Sequence, residues 1–148
     1  MIEFGAVELS QQLLVIINAG IAALLGSAIG WERDRAGKSV GPRTMALVGA
    51  SAAAIVNIGQ ILDVNAKFGD PTRAMHAIIT GIGFLGAGVI LRDTSGTRVH
   101  GITTAATIWV TAMIGILCGA GIWSAVIVGA VLALVILIVV KPFERWLH

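Results

Sequence analysis

Charge is scarce in this sequence. Ten Lys and Arg and eight Asp and Glu make up 12% of its 148 residues, about half the share of an ordinary soluble domain, while 57% are hydrophobic. A chain this short, folded in water, would leave much of that apolar surface exposed, so its composition calls for lipid as the solvent. The net charge of +2 comes from Lys and Arg placed between apolar blocks, with no basic stripe or run, and no nucleic-acid partner is expected. The one cysteine, Cys118, permits no intrachain disulfide and reads as a small buried hydrophobe. The first twelve residues hold Glu3 and Glu8 but no Lys or Arg, the reverse of a secretory leader. The first apolar block is therefore expected to be a retained helix. No nucleophile–base pair or metal cluster is visible, so neither an enzyme nor a cofactor is expected.

What the sequence has in abundance is apolar length. A crossing takes about 20 mostly apolar residues. Residues 13–31, 44–62 and 74–91 each supply one, and 102–140 runs uninterrupted by charge for nearly twice that length. Gly119-Ala120-Gly121 sits at its middle, and glycines so close together favour a tight turn, dividing it into 102–118 and 122–140. The expected fold is all-α: an integral membrane bundle of five transmembrane helices, forming one transmembrane domain over 1–148.

Orientation follows from Lys and Arg. Arg33, Arg35, Lys38, Arg43, Arg92, Arg98, Lys141 and Arg145 fall on one side, against Lys67 and Arg73 on the other. This bias places the N-terminus outside and the C-terminus inside. Trp31 and Trp146 then lie at the inner interface and Trp123 at the outer one, whereas Trp109 falls mid-helix, where packing against a neighbour is expected.

Small and hydroxyl-bearing residues recur at helical spacing. Ala22, Gly26 and Gly30 mark the first helix, Ala46, Ala50, Ala53, Asn57 and Gln60 the second, and Thr104, Thr107, Thr111, Gly115 and Cys118 the fourth. Such stripes either glue helices together or line a polar cavity where they converge. In the third helix Gly81, Gly83, Gly86 and Gly88 fall within eight residues, so that segment either packs closely or is broken, with carbonyls facing a cavity. His76 and Thr80 lie one turn apart at its outer end. No Asp, Glu, Lys or Arg lies within any span, which gives no support to a dehydrating Mg2+ site at the midplane. A path of carbonyls and Thr hydroxyls stays open, and the metal question with it.

The densest polar segment runs from Glu32 through Arg33, Asp34 and Arg35 to Arg43 and reads as a solvated loop at the inner surface. Asp70 suits a helix N-cap and Pro71 the first helical position. Residues 92–100 read as a hairpin turn, with Thr103 and Thr104 available to cap the fourth helix.

Five motifs then fall in one order. Gly26-x3-Gly30-x-Glu32-Arg33, Arg43-Thr44-x2-Leu47-Val48, Asp70-Pro71-x-Arg73, Gly81-Ile-Gly-Phe-Leu-Gly-Ala-Gly88 and Gly101-x-Thr103-Thr104-Ala-Ala106-x2-Trp109 resemble the MgtC/SapB family over roughly residues 20–120. The resemblance implies a multi-pass protein of the bacterial cytoplasmic membrane, associated with magnesium limitation and, in some pathogens, with survival inside macrophages. The family is often labelled a magnesium transporter. Its best-known member is viewed as a regulator of other membrane proteins, among them the proton-translocating ATP synthase. Regulation is the expected role here, with transport of Mg2+ or another small solute as the alternative. The matched motifs make Glu32, Arg33, Arg43, Asp70, Arg73, Gly81, Gly83, Gly86, Gly88, Thr104 and Trp109 the candidate functional residues. The small-residue stripes are also compatible with a homo-oligomer. Well-known members continue into a cytoplasmic C-terminal domain, and a sequence ending at His148 is expected to be a short member without one.

Overall fold

The computed structural model describes residues 8–66, 71–92 and 99–140, and these form five helices. They are α1 (Leu9–Arg35), α2 (Pro42–Ala66), α3 (Pro71–Gly88), α4 (Ile102–Ala120) and α5 (Trp123–Val135), the last extended by a π-helical turn over Ile136–Val140. Leu91 pairs with His100 and Arg92 with Val99 in a two-residue antiparallel ribbon, which brings together the described ends of the expected hairpin. Among the described residues, four stretches are long and apolar enough to cross a membrane: Leu9–Arg35, Pro42–Leu62, Ile102–Ala120 and Trp123–Val140. The protein is a helical membrane bundle.

Local chemistry sets the helix ends. Pro42 and Pro71 open α2 and α3, where a missing N–H costs nothing. Past the end of α4, Gly121 takes φ +72 while its N–H donates to Cys118 O at 3.1 Å and that of Ile122 to Leu117 O at 3.0 Å. This six-to-one closure turns the long apolar block back on itself at the predicted place, one to two residues late. The same closure ends α1 at Gly37, with Lys38 N–H donating to Arg33 O at 3.0 Å. As a result α1 runs a full turn beyond the expected boundary at Trp31, and Glu32 to Arg35 are helical rather than loop. Helix four is not capped by Thr103 or Thr104, because its N-cap is Gly101 at φ +91, with both threonines inside the first turn. The Asp70 cap lies outside the described residues.

The centre is a three-helix core of α1, α2 and α4. Gly26 faces Met45 O, Gly30 lies where a Cβ would come within 2.6 Å of Pro42 Cα, and Gly49 within 2.6 Å of Ala22 O, so α1 and α2 are antiparallel and in backbone contact. Across α2 and α4, Thr111 meets Met45, Gly115 meets Gly49 and Gly119 meets Ala53. The offset stays at 66 residues in each case, which makes these two helices parallel. α3 runs antiparallel to both, with Gly59 beside Ala74 at one end and Gly86 beside Ala105 at the other. α5 packs Val126 and Ala130 against the α1 and α4 side of the core.

Candidate functional site

The predicted stripes on α1, α2 and α4 converge, and where they meet they close. Thr104, Thr107 and Thr111 are all buried. Thr107 Oγ1 donates to Thr103 O at 2.6 Å, and Thr111 Oγ1 lies 2.9 Å from Thr107 O and 3.4 Å from Met45 Sδ. Their hydroxyls are thus engaged within the core, and the adjoining glycines hold neighbouring backbones too close for a side chain between them. Of the two readings of these stripes, close packing is the one the described residues adopt. Buried Cys118 belongs to the same core, as expected.

At the basic end of the bundle, Arg33 is only 3% exposed. Its Nη2 donates to Thr104 Oγ1 at 3.5 Å, its Nη1 lies 3.5 Å from Glu32 Oε2, and its Nε is buried without a hydrogen-bond partner among the described residues. A solvated loop was expected here. The extra turn of α1 instead swings Arg33 onto the face of Ala22, Gly26 and Gly30, pointing it at α4. Three candidate residues, Glu32, Arg33 and Thr104, are thereby brought together although Arg33 and Thr104 are 71 positions apart.

Arg43 and Arg73 are exposed in the first turns of α2 and α3, which the antiparallel pairing puts at opposite ends of the bundle. Asp70 lies outside the described residues. α3 is an unbroken helix, which removes the broken-helix reading of its glycines. A Cβ on Gly81, Gly83 or Gly88 would meet nothing within 4 Å, and on Gly86 only Ala105 Cβ at 3.7 Å. None of them packs tightly against a neighbour, but they do not share one face: Gly81 borders a cleft of about 520 Å3 between α2 and α3, Gly86 faces α4, and Gly83 lies on the exposed side next to Phe84, which is 82% exposed. His76 and Thr80 are exposed on the same helix, where Thr80 Oγ1 donates to the His76 carbonyl at 2.9 Å rather than engaging the imidazole. Trp109 is 46% exposed, lining a crease between α3 and α4 with Ile79, Ile82 and Met113. It faces α3 across that crease at the border of the bundle, half-exposed.

One pair went unnoticed in the sequence. Asn18 Nδ2 donates to Asn57 Oδ1 at 3.2 Å, and Asn57 Nδ2 to Ala53 O at 2.9 Å, both side chains being buried. Asn18 precedes Ala22, Gly26 and Gly30 at the same spacing of four, a signal sufficient to place it on that face. The pair sits beside a small cleft of about 190 Å3 reached by Gln11 and Gln60.

The glycine seam of α1 and α2 thus ends in Glu32-Arg33, against Thr104 on α4. The MgtC family profile matches residues 20–146. This chain belongs to the MgtC family. Protein MgtC of Brucella abortus is 40% identical over 127 residues, covering 86% of this chain and 51% of that protein. YhiD of Escherichia coli K12, which carries a provisional magnesium-transporter name, is 39% identical, covering 82% of this chain and 58% of YhiD. SrpB of Synechococcus elongatus is 36% identical, covering 86% and 76% respectively. The chain spans about half the length of the first curated relatives it matches. No solved structure matches it. Within this MgtC-family bundle, the buried Glu32–Arg33–Thr104 cluster and the glycines of α3 both come from motifs that carried the resemblance.

Proposed function

We propose that this chain is a regulatory protein of the bacterial cytoplasmic membrane, linked to adaptation to low magnesium, that acts by binding another membrane protein along α3. It carries out no enzymatic reaction and takes no cofactor. The observation carrying the reading is the exposed stripe of Thr80, Gly83 and Ala87, at helical spacing on an unbroken helix and opposite the buried Ile78 and Ile82, next to a core that is closed. In lipid, helices associate through small residues that let backbones approach, and here that surface faces away from the chain's own neighbours. The ATP synthase, implied by the family resemblance, is one partner to try.

The reading includes five crossings, N-terminus out and C-terminus in. α3 falls outside the four most apolar helices because its first turns carry Thr72, Arg73 and His76. Its 18 residues nevertheless rise about 27 Å, close to the ~30 Å hydrocarbon thickness, and it meets α2 at Gly59–Ala74 and α4 at Gly86–Ala105. The eight-to-two distribution of Lys and Arg supplies the orientation.

The test is complementation of a strain lacking this gene at limiting magnesium. Gly83→Leu is expected to insert and fold as the wild type does, yet to lose at least tenfold of the rescue. Full rescue by a normally expressed Gly83→Leu protein would refute the α3 assignment.

A further inference from the structure

A groove of about 680 Å3 separates α1 from the last turns of α5 at the basic end of the bundle. Higher up, Val126 and Ala130 hold α5 close, and the space opens only where the helix loosens into its π-helical turn at Ile136–Val140. Such turns are rare and recur at functional sites. The groove is hydrocarbon on its inner walls, from Ala28, Leu134 and Ile138, and polar at its mouth. There the Arg35 guanidinium lies over the Trp31 ring, 5.5 Å from its centroid, with Trp31 itself exposed.

We propose that this groove binds an anionic phospholipid, its acyl chain along the wall of Ala28 and Leu134 and its phosphate on Arg35. Charge complementarity selects the occupant. Glu32 also lines the groove, but its carboxylate lies 3.5 Å from the buried Arg33 guanidinium, so its charge is matched there. Arg35 makes no ion pair among the described residues, leaving its fork of N–H donors to a phosphate, the geometry for which Arg is suited. A headgroup carrying its own ammonium group would bring a cation towards Arg35, whereas phosphatidylglycerol would not. Trp31 sits where an amphipathic ring marks the headgroup level. Ser27 lines the groove beside Ala28. The proposal is independent of the partner assigned to α3.

The experiment is native mass spectrometry of the purified chain from mixed micelles containing phosphatidylglycerol and phosphatidylcholine in equal amounts. The wild type is expected to retain phosphatidylglycerol several-fold more. Arg35→Gln is expected to abolish that preference and Arg35→Lys to keep much of it. Ala28→Trp and Leu134→Trp fill the groove from opposite walls, and either variant, melting as the wild type does, is expected to lose the retained lipid. Equal retention of both lipids by the wild type would overturn the proposal. So would a preference that survives Arg35→Gln, or lipid retention undiminished by a filled groove, the result expected if another helix occupies it.

Discussion

Gly49 on α2 and Gly115 on α4 lie backbone to backbone, with the Gly49 carbonyl occupying the place where Gly115 would carry a side chain. That contact, repeated a turn further at Ala53 and Gly119, holds two parallel helices in register without the hydrophobic effect, which lipid cannot supply between helices. Gly115→Val is expected to destabilise the bundle by about 1–3 kcal/mol through overpacking. Gly81→Val, whose new Cβ meets nothing within 4 Å, is expected to shift stability far less. Unfolding curves in mixed micelles compare the two, and equal losses would show that α3 packs as tightly as the core.

The Asn18–Asn57 bond links α1 and α2 away from the basic end. A double-mutant cycle with Asn18→Ala and Asn57→Ala is expected to give a coupling of about 0.6–1.7 kcal/mol, the range for hydrogen bonds between membrane helices. A coupling near zero would mean that the two amides find other partners.

Arg33→Met removes a buried guanidinium and with it the hydrogen bond to the buried Thr104 hydroxyl. The expected loss of stability is about 1–3 kcal/mol, that of stranding a buried polar partner. Arg43→Gln, on an exposed side chain, is expected to cost less than about 0.5 kcal/mol. The same unfolding measurement separates them.

Orientation is open to direct measurement. In a Cys118→Ala background, Lys38→Cys is expected to react with a membrane-impermeant maleimide only after the membrane is opened, and Gly121→Cys in intact cells with the outer membrane permeabilised. The reverse pattern would invert the topology.

Much of this was legible in the sequence because lipid demands long apolar runs and small residues at helical spacing. The five helices, the turn at Gly121 and the stripes on α1, α2 and α4 follow from those demands. The burial of Arg33, itself a candidate, was missed because alternating charges after Trp31 read as the start of a loop. The face defined by Ala22, Gly26 and Gly30 continues to Arg33 only if the helix does. The lack of internal packing at the α3 glycines was missed for a different reason. Spacing says which residues share a face but not which way a helix turns that face, and α3 turns Ile78 and Ile82 inward.

The central claim is that this family member acts through a surface and does not carry magnesium through its closed core. Its most direct test is Mg2+ flux into proteoliposomes holding the purified chain and an internal Mg2+-sensitive dye, with an inward gradient. The account predicts a rate equal to that of protein-free liposomes. A protein-dependent flux that saturates with Mg2+ would contradict it.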